Sequence, residues 1–159
     1  MNEKPTNPKD IIGTNKLPMS LFPSTAIAYG CLGCLEGMLK YGLVNWRVAG
    51  IRMSIYLDAA ERHHAKLKNG EWADVATQVP HLSSLLACYA IIADAKTCGR
   101  LLDDRPIPAP VGALIQELEA VVPHLKDLFK DRHPKHYTIE PVTQEPSCPS
   151  STLQAASLD

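Results

Sequence analysis

The chain has 159 residues, of which 45% are apolar, and a formal net charge of −1. That suffices for one modest core, and it lacks the basic excess that sequence-independent nucleic-acid binding needs. No apolar run approaches the roughly 18 residues that cross a bilayer, and residues 1–9 are polar with no secretory apolar stretch, so a cytoplasmic protein with no membrane partner is expected. Five cysteines, an odd number, argue against a disulfide framework. Cys31-x-x-Cys34 stands alone, without a second pair, and reads as small core residues.

Residues 1–23 are rich in Pro, Asn and Lys, and their X-Pro steps disfavour helix and predict an extended N-terminal arm or a set of turns. The apolar residues in it (Ile11, Ile12, Leu17, Met19, Leu21, Phe22) call for cover. A first helix is expected from Ser24 or Thr25 to Tyr41, ended by Gly42 and rich in small residues that allow close packing. A second is expected over 45–68, with a core stripe of Trp46, Ala49, Met53, Leu57, Ala60, His64 and Leu67 and a stop at Asn69-Gly70. Residues 70–79 read as a loop. A third helix opens at Pro80 and runs to Cys98. After a Pro-rich connector, a fourth spans 111–130, with a kink or restart at Pro123. No period-two strand is evident. The expected fold class is all-α, a bundle of about four helices. The expected division is an arm at 1–23, a core at 24–102, a connector and C-terminal helix at 103–133, and a mobile Pro/Ser/Thr-rich tail at 134–159.

Polar chemistry concentrates between Glu36 and Asp74, in segments that otherwise read as buried helix. Buried polar groups cost free energy unless they are partnered, so this density marks a candidate site. Asp58-x-x-Glu61 places two carboxylates one turn apart on a helix face, and Glu71-x-x-Asp74 repeats the spacing. With Glu36 they form a candidate metal set, because Mg²⁺ takes hard oxygen ligands and Mn²⁺ can replace it. Glu36 could equally pair with Lys40, and Asp58 and Glu61 with Arg62 and Lys66. Lys40, Asn45, Arg47 and Arg62 suit phosphate or base contacts. Trp46 could stack a base or anchor the core. His63 lies on the apolar side of its helix, as a catalytic or metal-site residue or a satisfied core histidine. His81, in the first turn of the third helix, could be a cap-region contact, a ligand or a proton carrier. No G-x-S-x-G elbow and no phosphate-binding P-loop is present.

Several stretches resemble one family. They are Asn7-Pro8-Lys9-Asp10, Leu35-Glu36-Gly37-Met38-Leu39-Lys40-Tyr41-Gly42, Asn45-Trp46-Arg47, Tyr56-x-Asp58-Ala59, Arg62-His63, Gly70-Glu71-x-x-Asp74, Pro80-His81-Leu82 and Ile91-Ile92-x-Asp94-Ala95. Over residues 5–106 the chain is similar to the phage dATP/dGTP diphosphohydrolases, MazZ-like proteins grouped with the MazG-type all-α pyrophosphohydrolases. The resemblance implies Mg²⁺-dependent hydrolysis of a purine (deoxy)nucleoside triphosphate to the monophosphate and pyrophosphate. It also implies a homodimer or homotetramer and, in phages with 2-aminoadenine DNA, supply of dGMP. The chain departs from the wider group: E-E-x-x-E is only approximated by Asp58-x-x-Glu61, and Glu71-x-x-Asp74 falls in the expected loop.

Three functions therefore stay open. In the first, Glu36, Asp58, Glu61, Glu71 and Asp74 hold Mg²⁺, a carboxylate acts as base, Glu71, Asp74 and His63 serve catalysis, and Lys40, Asn45, Trp46, Arg47, Arg62 and His81 bind substrate. In the second, His63, Glu71, Asp74 and His81 form the metal site of a phosphohydrolase releasing triphosphate or phosphate. In the third, a helical phage protein binds nucleotide without turnover.

Overall fold

The computed structural model describes residues 7–139. The elements follow as α1 (Pro8–Gly13), a 3₁₀ turn (Met19–Leu21), α2 (Ser24–Tyr41), α3 (Trp46–Ala49), β1 (Ile51–Arg52), α4 (Met53–Lys68), α5 (His81–Thr97), β2 (Leu101–Leu102), α6 (Val111–Glu119) and α7 (Val122–Leu128). The fold is all-α, with two two-residue strands as the only sheet among the described residues. Two compact units divide at Ala109 and Pro110.

In the first unit, α5 is the central helix and packs against both α2 and α4. Its apolar residues run nearly all the way round, as a helix covered on two sides requires. Leu85, Ala87, Ile92 and Ala95 are buried, together with His81, Ser83 and Ser84. Gly33 lets α2 come down on α5: a β-carbon there would overlap the Ser83 carbonyl. Gly42 (φ 94°) ends α2 at the expected residue.

The second expected helix is interrupted. At Gly50 (φ 74°) the chain leaves the helical path, and the Ile51 N–H donates to Arg100 O at 2.9 Å. Ile51 and Arg52 then pair in parallel with Leu101 and Leu102, clipping the start of α4 to the chain beyond α5. Asp104 reinforces the clip by accepting the Ser54 N–H (2.8 Å), the Ser54 hydroxyl (2.7 Å) and Arg52 Nε (2.9 Å). A residue distant in sequence thus satisfies an orphan donor of the first turn of α4. Asp104 is held down at about 2, by the Ser54 amide first, then its hydroxyl, then Arg52.

Ala49 and His64, expected in the core stripe, are exposed, because the break at Gly50 re-aims the helix that follows. The arm also departs from expectation. Residues 8–13 are helical, with the Asn7 side chain accepting from the Lys9 N–H at 2.9 Å, and Ile12, Leu17, Met19, Leu21 and Phe22 remain exposed. Cys31, Cys34, Cys88 and Cys98 are free thiols. In the second unit α6 and α7 are separated at Ala120 and Val121, just before Pro123, and both linking residues keep right-handed helical angles. Residues 134–139 carry no regular element, and the remainder of the expected tail lies outside the described residues. No described helix is long and apolar enough to cross a membrane.

Candidate active site

Because α5 separates α2 from α4, a cleft of about 440 Å³ opens between the two outer helices with α5 as its floor. From α2 come Gly33, Glu36, Gly37, Lys40 and Tyr41, and from α4 Ile55, Tyr56, Ala59, Arg62 and His63. Asn45 and Trp46 close one end, and Ser84, Ala87, Cys88 and Ile91 form the floor. Helical spacing explains the membership. Ile55, Ala59, Arg62 and His63 recur at intervals of three and four on one face of α4, as do Gly33, Glu36, Gly37 and Lys40 on α2. Tyr56, one turn before Ala59 and two before His63, could have been found by the same spacing.

Of the residues singled out in the sequence, Glu36, Lys40, Asn45, Trp46, Arg62 and His63 line the cleft. Glu36 accepts Lys40 Nζ at 2.6 Å, and this bond raises the lysine above its ordinary value. Two of the three ammonium protons remain for another acceptor.

Trp46 and Arg47 are held together by α5. Asp94 Oδ2 accepts Trp46 Nε1 at 2.6 Å and Arg47 Nε at 2.8 Å, while Asp94 Oδ1 accepts Arg47 Nη2 at 2.8 Å. The guanidinium and then the indole hold Asp94 down at about 2. Arg47 is thus committed to a bidentate pair and is not part of the cleft wall. Asp94 places Trp46 at the cleft end, a role the sequence left unassigned.

Glu71, Asp74 and His81 lie behind His63. His63 Nδ1 is 3.0 Å from His81 Nδ1, and His81 Nε2 is 3.0 Å from Glu71 Oε1. His81 is wholly buried (0% exposed), so its ring reaches the cleft only through His63. Lys66 donates to Glu71 at 3.2 Å and lies 3.6 Å from Asp74. The Asp74 carboxylate accepts the Ala76 and Thr77 amides, each at 3.0 Å. Glu71 is held below its ordinary value by His81 first and then Lys66, and Asp74 by the Thr77 amide and then that of Ala76. Burial lowers His63, the neighbouring His81 adds to the drop, and Glu36 opposes it, so the imidazole is neutral at pH 7.

Asp58 and Glu61 are exposed and absent from the cleft lining. Asp58 borders the Ile55–Ala59–Arg62 face, and Glu61 lies further round the helix. The five acids therefore do not converge within one chain, and among the described residues no three His, Cys, Asp or Glu side chains form a metal-holding group. Mg²⁺ bound with a polyphosphate asks less of the protein, often one or two carboxylates, with phosphate oxygens and waters completing the shell. Glu36 is the carboxylate that lines the cleft, and it fits that smaller demand.

Chemically, the cleft offers a wall with cationic donors, one carboxylate, a neutral imidazole with one ring nitrogen unengaged, and aromatic faces at Trp46, Tyr41 and Tyr56. No curated protein and no solved structure is significantly similar to the chain. Residues 6–105, which include every cleft residue, match the family described as dATP/dGTP diphosphohydrolase, N-terminal. The family's name carries hydrolase action on dATP and dGTP, and the chain belongs to this dATP/dGTP diphosphohydrolase family.

Proposed function

We propose that the chain hydrolyses dATP or dGTP to the deoxynucleoside monophosphate and pyrophosphate in the α2–α4 cleft. The observation that carries this reading is the lining itself, with Glu36, Lys40, Arg62 and His63 on facing helices and Asn45 and Trp46 at one end. The cleft volume falls within the roughly 300–1,000 Å³ of ordinary small-molecule sites. Lys40 and Arg62 bind the triphosphate oxygens, Lys40 as a point charge and Arg62 through its fork. Trp46, fixed by Asp94, offers a flat face to the purine, and Asn45 offers an amide to its edge. Tyr56, whose phenol burial pushes up, keeps its proton and can donate a hydrogen bond.

His63 is neutral and unencumbered on one nitrogen, which suits it to accept a proton from water. The water oxygen bonds to the α-phosphorus. The bond from that phosphorus to the bridging α–β oxygen breaks, and its electron pair leaves with pyrophosphate. The water proton passes to His63 Nε2. Glu36 would hold Mg²⁺ or Mn²⁺ together with the triphosphate, and the ion would supply charge neutralisation and lower the pKa of water.

The reading extends to assembly and context. Ile27, Leu32, Leu35 and Leu39 on α2 are exposed, as are Ile12, Leu17, Met19, Leu21 and Phe22 of the arm. This exposed apolar surface would gain cover from further copies of the chain, which favours a homodimer or homotetramer. In the cytoplasm of a phage-infected host, dGMP from this reaction would feed synthesis of 2-aminoadenine DNA.

The test is a panel of dATP, dGTP, dCTP and dTTP with Mg²⁺, with products identified chromatographically. Purine monophosphate plus pyrophosphate is expected, with turnover lost on chelation and restored by Mg²⁺ or Mn²⁺. Release of intact triphosphate, or no turnover by folded protein, overturns the proposal.

A further inference from the structure

We propose that His81 is a positioning residue: anchored by Glu71, it locks His63 in the Nδ1–H tautomer and turns an unprotonated Nε2 toward the cleft. The assignment of His63 as the base rests on the function proposed above, whereas the tautomer rests on donor and acceptor geometry around a singly protonated His81.

The protons follow from one end of the chain of contacts. Glu71 Oε1 is ionised and can only accept, so His81 Nε2, at 3.0 Å, carries the proton between them. In neutral imidazole the other nitrogen is then a lone-pair acceptor. His81 Nδ1 therefore accepts at 3.0 Å from His63 Nδ1, which must carry its own proton. The same logic leaves His63 Nε2 bare, and no described residue bonds to it. A lone pair at that nitrogen is what a base requires.

The fold enforces this arrangement. His81 opens α5, and its backbone N–H donates to Trp72 O at 2.9 Å, fixing the ring at the junction of loop and helix. The ring is wholly enclosed, so no water competes for its nitrogens. Lys66, 3.2 Å from Glu71, keeps that carboxylate charged and in place. A doubly protonated His81 would donate from both nitrogens. It would force the opposite tautomer on His63, with an Nε2–H that cannot take a proton.

The experiment is long-range ¹H–¹⁵N NMR of the histidine rings in the full chain at neutral pH, paired with steady-state kinetics. His63 is expected as the Nδ1–H tautomer. In His81→Phe it should revert to Nε2–H, the form free imidazole side chains favour. The same change should lower kcat by about 10²-fold, the low end of what a positioned base contributes, with KM altered less than about threefold. His81→Asn keeps an acceptor oxygen near the position of Nδ1 and should restore both the tautomer and most of kcat. Because a core substitution can unfold the chain, Glu71→Ala at the partly exposed end provides a second route: both rings should lose their single tautomer, and kcat should fall without a matching rise in KM.

The proposal is overturned if wild-type His63 carries its proton on Nε2, or if neither substitution moves the tautomer. It is also overturned if added Zn²⁺ shifts both Nδ1 resonances as ligands. Absence of turnover in wild type alongside the expected tautomer would instead sink the catalytic reading and leave the positioning intact.

Discussion

Asp94 accepts the indole N–H of Trp46 at 2.6 Å while its two oxygens also clasp Arg47, so a single carboxylate on the central helix sets the end wall of the cleft. Asp94→Ala removes both contacts. KM for dATP and dGTP should rise by about 10-fold, equivalent to ~1.4 kcal/mol of binding, with a smaller effect on kcat. Asp94→Asn retains an acceptor oxygen and should fall between the two. Initial-rate kinetics on folded variants would check this, and an unchanged KM in Asp94→Ala would show that Trp46 does not meet the substrate.

The close approach of α2 to α5 makes a second prediction. Gly33→Ala forces a methyl group into the Ser83 carbonyl, which is backbone and cannot rotate away. Overpacking of this kind costs about 1–3 kcal/mol. For a domain of this size each kcal/mol lowers Tm by roughly 4–8 °C. Gly37→Ala, on the same helix but with nothing near its β-position, should raise Tm by a few degrees, because alanine gains about 0.5–1 kcal/mol of helix propensity over glycine. Thermal unfolding of the pair isolates the crossing from any general effect of glycine replacement.

Stability should decline in two separate steps as pH falls. The His63 imidazole sits below its ordinary 6.5 in the folded chain. The unfolded chain therefore takes up that proton first, and stability is full above about pH 6.5 and falls below it. Asp94 and Asp104 behave differently. Both lie at about 2 when folded, against an ordinary 3.8, so their contribution is complete above 3.8 and is lost as pH drops toward 2. Melting temperatures from pH 8 to 3 should show the first decline in wild type and not in His63→Gln, with the acid decline present in both.

Glu36 carries a fourth prediction. If it holds Mg²⁺ with the triphosphate, Glu36→Gln should raise the Mg²⁺ concentration for half-maximal rate by about 10-fold or more, since a neutral amide is a poorer hard ligand. Asp58→Asn and Glu61→Gln, exposed and outside the cleft lining, should change it far less. A Mg²⁺ titration of the three variants separates a cleft ligand from a distributed acidic set.

The ends of α2 and α5 were legible because their signals are local. Pro23 precedes one start, Gly42 supplies the left-handed stop, and Pro80 opens the last long helix. The break at Gly50 was not, because its cause is the Arg100 carbonyl, about a third of the chain away. The cleft shows the same division. Glu36, Lys40, Asn45, Trp46, Arg62 and His63 stood out as polar groups at helical spacing in apolar context, and that spacing brings them to one cavity. Arg47 looked equally suited to phosphate, yet Asp94 engages it from another helix. His81 read as a first-turn residue open to ligand, and its burial follows from the 70–80 loop folding over it, which no local pattern announces. The carboxylates were the hardest to place. Spacing puts Asp58 and Glu61 on one side of a helix, but only the packing of α4 on α5 decides which side faces the cavity.

The short parallel clip also bears on how the chain is made. Ile51 finds its partner only at Leu101, and Asp104 must follow to complete the first turn of α4. On the ribosome, α4 emerges well before the segment that clips its start, and contacts so distant in sequence form slowly. Native order in this unit must await the arrival of residue 104, so a nascent chain halted before that point would expose unfinished helices to chaperones and proteases.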